Sequence, residues 1–296
     1  MKVLTIIISY NFEKWIRPCL ESLLLSTYPT EILVIDNGSK DRTVSTIRQA
    51  YPSVRIIDNG QNLGFGKANN IGMQIAMQEG FDAVFLLNQD AWVSTDTIGT
   101  LAGLSRENPT FGIFSPVHLN GQGNQLDKGF AHYVQIKDKT ELPKSKSLIE
   151  ATFINAAFWF IPITTLKTVG GFSPLFYHYG EDKDYINRLH YHHLKIGYSP
   201  KVFGCHDREF REVTRKAYFR SEYVYLLSEY ANINRPIGNA FVYSVLACIK
   251  KSLTAFFHIK PQDGCTYLYL AIKLTTRTGK VIQVRRKTRK EAPHFL

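Results

Sequence analysis

Residues 31–43 read EILVIDNGSKDRT, an unbroken apolar run that ends on a carboxylate and passes directly into a turn and a helix start. A strand that is apolar at every position, not at every second one, is covered on both faces, as strands of parallel sheets are. Ser39 or Asp41 can cap the helix that follows. On its own the stretch is a capped strand-to-helix turn, or equally a turn whose Asp36 accepts hydrogen bonds from a ligand at the strand's carboxyl end.

Working outward, the same unit recurs. VLTIIIS (3–9), VRIID (54–58) and DAVFLLN (82–88) are short, β-rich and apolar, and helical spacing marks 13–27, 41–50, 67–79 and 95–107 between and after them. Strand alternating with helix implies right-handed crossovers and a Rossmann-like, mostly parallel α/β sheet with helices on both faces. In such sheets ligands collect beyond the carboxyl ends of the strands. There the chain places Ser9-Tyr10-Asn11, Asp36-Asn37-Gly38-Ser39 and Asn88-Gln89-Asp90.

The second half is less regular. Residues 119–149 are polar and turn-rich, an excursion long enough to be functional or mobile. A strand-like run follows over 152–162, then a helix over 181–194 and a strand in KIGYSPKVFG (195–204); from about 213 onward the pattern is helical.

Composition narrows the class. The 44% hydrophobic and 21% charged fractions are those of a globular protein. Cys19, Cys205, Cys248 and Cys265 are scattered with no CxxC pair, which argues against a disulfide framework or a cysteine zinc site and for a reducing compartment. The apolar stretch at the N-terminus runs for about six residues into Asn11, Glu13 and Lys14, too short for a signal peptide. The nearest approach to the roughly 18–20 apolar residues of a membrane span is 239–257, interrupted by Lys250-Lys251. Residues 250–290 carry eleven Lys/Arg against Asp263, a net +10; Glu291 subtracts one, so of the total +11 only +2 belongs to residues 1–249. A near-neutral body thus bears a basic C-terminal segment.

Four further stretches can carry chemistry. NLGFGKANNIG (62–72) is a glycine-rich turn entering a helix, but its glycines fall at 64, 66 and 72, not in the dinucleotide pattern. Its amides and Lys67 would suit a diphosphate. GEDKDY (180–185) sets three carboxylates at a helix start, with Glu181 and Asp184 on one face. Such placement favours the helix dipole, and crowded like charges also raise a pKa toward that of a general base. His206 follows the last strand in CHDRE (205–209), either structural or a ligand. Asn88-Gln89-Asp90 is a turn, or part of an acidic metal motif.

Taken in order, TIIISYN, ILVIDNGSKDRT, NLGFGKANNIG, AVFLLNQDAWV, GGFSPLFYHYGEDKDYINRL and the later His206 resemble glycosyltransferase family 2, over about residues 1–210. The likeness is to bacterial rhamnosyltransferase and galactofuranosyltransferase-like members. It implies the GT-A fold and divides the chain into a glycosyltransferase domain over 1–212 and a helical basic extension over 213–296. The domain's nucleotide-sugar half is about 1–118 and its acceptor and catalytic half about 119–212. The resemblance further implies that Asp36 contacts the nucleobase, in a pocket completed by Ser9, Tyr10 and Asn11. Asn62, Gly64, Lys67 and Asn70 would line the phosphate side, Asn88 would neighbour the nucleotide, and Trp159 and Tyr179 would serve the sugar or acceptor. Asp90 and His206 would hold a divalent cation, Mg²⁺ or Mn²⁺. Asp182 would be the base that deprotonates the acceptor hydroxyl, supported by Glu181.

The activity implied is inverting, metal-dependent transfer from a UDP- or dTDP-linked sugar to a lipid-linked glycan, in assembly of bacterial surface polysaccharide such as O-antigen. Two positions depart from the family: Asn88 stands where many members have Asp, and Asn69-Asn70 where others have Arg-Asn. A catalytically degenerate sugar-nucleotide-binding protein and a nucleotidyltransferase of similar fold are the alternatives. The basic segment, concentrated in KVIQVRRKTRK (280–290), is either a solvated charged terminus or, the preferred reading, a surface that docks on anionic lipid. No nucleic-acid-binding motif accompanies it; the lipid-linked acceptor that the resemblance implies makes the expected location cytoplasmic, peripheral on the inner face of the membrane.

Overall fold

The computed structural model describes residues 1–143, 145–208 and 214–296. The boundary drawn at 212/213, and Glu209 of the CHDRE stretch, lie outside the described residues. The first half follows the expected alternation: β1 (Val3–Ser9), α1 (Ile16–Leu24), β2 (Glu31–Asp36), α2 (Thr43–Ala50), β3 (Arg55–Asp58), α3 (Phe65–Gln78), β4 (Ala83–Asn88), β5 (Ala91–Val93) and α4 (Thr97–Glu107). The second half holds β6 (Phe111–Asn120), α5 (Lys128–Val134), β7 (Ile149–Ala151), β8 (Phe158–Pro162), α6 (Ile163–Val169), α7 (Glu181–Tyr191) and β9 (Lys195–His206). Four helices close the chain: α8 (Arg215–Ala231), α9 (Ile237–Phe257), α10 (Pro261–Thr276) and α11 (Thr278–Thr288).

One nine-stranded sheet runs β3-β2-β1-β4-β8-β6-β9-β5, with β7 added to β9. β1 pairs in parallel with both β2 and β4, and β2 with β3. β8 is antiparallel to β4 and β6, while β6 and β9 are parallel. Side chains alternate across the sheet as the strand period requires. Leu4 and Ile6 face a core shared with Met73 of α3, Leu166 of α6 and Tyr185 of α7; Val3 and Ile7 face one shared with Leu20 of α1, Ile47 of α2 and Leu101 of α4. Both faces of the sheet are therefore covered, which is why β1, β2 and β4 read as continuous apolar runs. A third core joins Leu175 and Phe176 to residues of α8–α11.

Two features depart from the sequence reading. The strand-like run at 152–162 contributes only Phe158–Pro162, because a turn donates Ala157 N–H to Asn155 O immediately before it. β6, between β8 and β9, went unread: Gly112 and Pro116 interrupt its pattern, and the ladder shifts register at Pro116/Val117, where proline supplies no donor. Residue 118, near which the two halves of the domain were divided, lies within this strand. β5 follows β4 after only Gln89 and Asp90 yet pairs with β9 at the far end of the strand path. The sheet consequently curls until its two arms meet.

Candidate active site

The curl opens a cleft of about 900 Å³ at the carboxyl ends of β1 and β4. From the residues singled out above it gathers Tyr10, Asn11, Asn88, Asp90, Tyr179, Glu181, Asp182 and His206. Asp90, brought beside β9 by the β5 pairing, has Oδ1 3.2 Å from His206 Nε2. Asn88 Nδ2 lies 3.3 Å from the same nitrogen. On the other side of the His206 ring, Arg208 Nε stands 3.2 Å from Nδ1 and 3.1 Å from Asp127 Oδ2. A guanidinium only donates, so Nδ1 accepts from Arg208, while Nε2 faces both the Asp90 carboxylate and the Asn88 amide.

Oxygen and nitrogen ligands at about 2.1 Å in adjacent positions of an octahedron stand about 3 Å apart, so the Asp90–His206 pair fits one divalent cation. His206 would ligate through Nε2 in the tautomer that carries its proton on Nδ1, with the Arg208 Nε–H turned to Asp127. No group of three or more His, Cys, Asp or Glu side chains suited to a metal occurs among the described residues. Two protein ligands match a hard cation that keeps several waters and takes other oxygens from a diphosphate.

The carboxylates at the start of α7 divide into two roles. Asp184 forms a buried ion pair with Arg188 at 2.9 Å, and Arg188 also donates to Val169 O and Gly171 O. It therefore anchors the glycine pair before the helix and does not share a face of the cleft with Glu181. Glu181 is buried, its Oε2 has no hydrogen-bond partner among the described residues, and burial, then the neighbouring Asp182 charge, push its carboxyl up to about 7. Burial also raises Asp182, opposed by the Lys183 N–H it accepts at 2.7 Å. Gly180 makes the helix start possible: its φ is +85°, and a Cβ there would lie 2.6 Å from Val224 of α8.

Other residues named from the sequence lie elsewhere. Asp36 is wholly buried and accepts from Ser9 Oγ, Ser39 Oγ, Gly38 N and Ser39 N, so its carboxylate holds the turn and has no face in the cleft. Ser9 is buried with it; Tyr10 and Asn11 carry this strand end into the cleft. The 62–70 turn braces the segment before α7. Asn62 O accepts from Tyr177 Oη, Gly64 (φ +81°) leaves room for Tyr177 O, and Asn70 pairs its amide with both backbone groups of Phe172. Lys67 points to solvent, and Phe65 is the residue of this turn that reaches the cleft. Trp159, implied by the resemblance for the sugar or acceptor, lies outside the cleft. It is fully buried, its indole N–H donates to Ile154 O, and it stacks with Phe172 in the core beneath the site.

Sequence reasoning missed Arg208, Tyr133 and Asn155, and gave Gln89, within the Asn-Gln-Asp triplet, no role of its own. Gln89 clamps Tyr10 through both backbone groups, and Asn155 Oδ1 is buried at the cleft wall without a partner among the described residues. Arg208 carried a faint signal as a cation two residues beyond His206. Tyr133 and Asn155, in irregular stretches, carried none.

Residues 5–163 match the model of Glycosyl transferase family 2. N-acetylglucosaminyl-diphospho-decaprenol L-rhamnosyltransferase of Mycobacterium tuberculosis is 30% identical over 126 residues, 40% of this chain and 41% of that protein. Low-salt glycan biosynthesis hexosyltransferase Agl10 of Haloferax volcanii is 25% identical over 211 residues, 69% of this chain and 66% of that protein. The matches thus span less than two thirds of either relative's length. Among solved structures, S. aureus TarS 1-349 with UDP-GlcNAc superposes with a TM-score of 0.60 at 14% identity, covering 98% of this chain and 88% of that one. The mannosyltransferase PcManGT from Pyrobaculum calidifontis, in complex with GDP-Man and Mn²⁺, gives 0.56 at 16% identity over 97% and 79%. The structural likenesses establish a GT-A architecture, and the family match covers more than half of the sequence: the chain belongs to glycosyltransferase family 2.

Proposed function

We propose that the protein transfers a sugar from a UDP- or dTDP-linked donor to a hydroxyl of a lipid-linked glycan, inverting the anomeric centre in one displacement. The carrying observation is that one cleft holds Asn88, Asp90 and His206 together with the Glu181–Asp182 start of α7. In this reading the acceptor O–H gives its proton to Asp182 as the glycosidic C–O bond forms. The bond from the sugar to the diphosphate breaks, and its electron pair leaves with the diphosphate. Glu181, held near neutrality, keeps a second full charge from building beside that base. A divalent cation held by Asp90 and His206 would offset charge on the departing diphosphate. Asn88 neighbours the nucleotide, while Tyr10 and Asn11 offer exposed groups to its base and Asp36 fixes the turn behind them.

The domain assignment proposed is a glycosyltransferase unit over 1–212 and a helical extension over 213–296. A lipid-linked acceptor is supported by the relative named for a diphospho-decaprenol substrate, and it puts the enzyme at the inner face of the cell membrane. The test is Asp182→Asn, assayed for transfer and, by thermal shift, for binding of UDP-, dTDP- and GDP-sugars with and without Mn²⁺. Lost transfer with donor binding retained is expected. Transfer at the original rate removes Asp182 as the base, and failure of every nucleotide to stabilise the protein removes the donor site.

A further inference from the structure

The cations of 280–290 are partly committed to the fold. Arg285 is buried and donates to Tyr230 O and Asn232 O, and Val281, Val284 and Thr288 of the same helix are buried beside it. The exposed apolar surface lies instead on the hairpin of α9 and α10. α9 buries a stripe of small residues, Ala240, Ser244, Cys248 and Ser252, spaced four apart. Ser244 Oγ donates to Leu226 O of α8 and Ser252 Oγ to Gly264 O of α10, which fixes that stripe inward. The opposite face is open: Leu253 is 65% exposed, and at the tip Phe257 and Ile259 are 84% and 88% exposed.

This face borders a groove of about 1030 Å³, lined by Leu246, Leu253 and Tyr243 with Lys250, Lys260 and His258 at its rim. Within 237–276 the lone acid, Asp263, is taken by Arg215, and Lys251 pairs with Glu222. Lys250 and Lys260 have no ion pair among the described residues.

We infer that the α9–α10 hairpin docks on an anionic bilayer surface, its tip and outer face entering the acyl boundary while Lys250 and Lys260 meet lipid phosphates. An apolar stripe rimmed by lysines and opposite a packed face is the pattern of an interfacial helix. α9 is long and apolar enough to cross a membrane, contrary to the sequence reading. Its small-residue stripe is nevertheless spent on α8 and α10, so it presents one face to lipid and lies on the surface. α8 also packs Val224 against Gly180, which joins the docking hairpin to the start of the catalytic helix.

The partner named here rests on the lipid-linked-acceptor reading, but vesicle binding is scored without transfer or donor, so each can fail alone. The full chain is sedimented with phosphatidylglycerol and with phosphatidylcholine vesicles, beside Leu253→Asp/Phe257→Asp and a variant with Arg286, Lys287, Arg289 and Lys290 changed to Gln. Both exchanges are at exposed positions, and circular dichroism checks the fold. Expected is binding to phosphatidylglycerol that falls about tenfold or more in the apolar variant and only moderately in the charge variant. The inference is overturned if the apolar variant binds like wild type, or if neither vesicle binds. It is likewise overturned if light scattering shows a dimer that the apolar variant dissociates, since the face would then be an interface between copies.

Discussion

Replacing Glu181 by Gln should stabilise the protein at neutral and alkaline pH while leaving it unchanged in acid. Glu181 is 6% exposed, one carboxylate oxygen has no partner among the described residues, and its carboxyl is pushed from 4.5 up to about 7 by burial and by Asp182. A carboxyl raised in the folded state binds more protons folded than unfolded between those two values, so stability falls as pH rises through that interval and stays low above it. The difference from 4.5 to about 7, at 1.36 kcal/mol per pH unit, amounts to about 3 kcal/mol. A glutamine amide fills the same space without ionising. Urea unfolding followed from about pH 4 to pH 8 should therefore show coincident curves in acid that diverge through pH 5–7 and end about 3 kcal/mol apart, with the variant the more stable. Parallel curves across that range, or a variant less stable at pH 8, would refute the argument that an uncompensated carboxylate is buried at this helix start.

Asp90→Ala should abolish the Mn²⁺-dependent part of the thermal shift given by a nucleotide-sugar, whereas Asn88→Ala should only reduce it. Asp184→Asn leaves Arg188 charged and 1% exposed without its partner, so a loss of about 3–5 kcal/mol is expected in denaturant unfolding. Trp159→Ala should cost a similar amount, about 3–5 kcal/mol, with donor KM unchanged, because the ring fills the core and does not line the cleft.

What could be read locally was what local pattern determines. Burial on two faces makes β1, β2 and β4 continuously apolar, so those strands, and the ends of β1 and β4 that border the cleft, are visible in the sequence. Side-chain direction is a different matter. Asp36 stands at a strand end where ligands gather, yet four donors from its own turn and from Ser9 absorb its carboxylate. Asn70 belongs to a glycine-rich helix start, yet its partners come from residue 172, about a hundred positions away. The resemblance implies Trp159 for the sugar or acceptor pocket, yet strand alternation turns it into the core, with its one donor already satisfied. In each case the segment was located and the direction of the side chain was decided by chain far away in sequence.

The meeting of Asp90 with His206 shows why that remoteness matters for the proposed chemistry. In a flat sheet, β4 and β5 would be separated by four strand spacings, about 19 Å at about 4.8 Å each. Gln89 and Asp90 alone join them, and the step from Asn88 to Ala91 spans at most about 11 Å even when fully extended. A flat sheet is therefore excluded by the connection itself, and the curl that relieves it brings β9 alongside the end of β4. The short Asn-Gln-Asp link is in this sense more than a turn that offers a carboxylate. Its length closes the sheet, and closure sets Asp90 Oδ1 at 3.2 Å from His206 Nε2. Asn88, the last residue of β4, lies at the same junction and is positioned by the same constraint, which accounts for its 3.3 Å approach to that nitrogen. Lengthening the link would release both distances together, whereas changing either side chain would leave the closure intact.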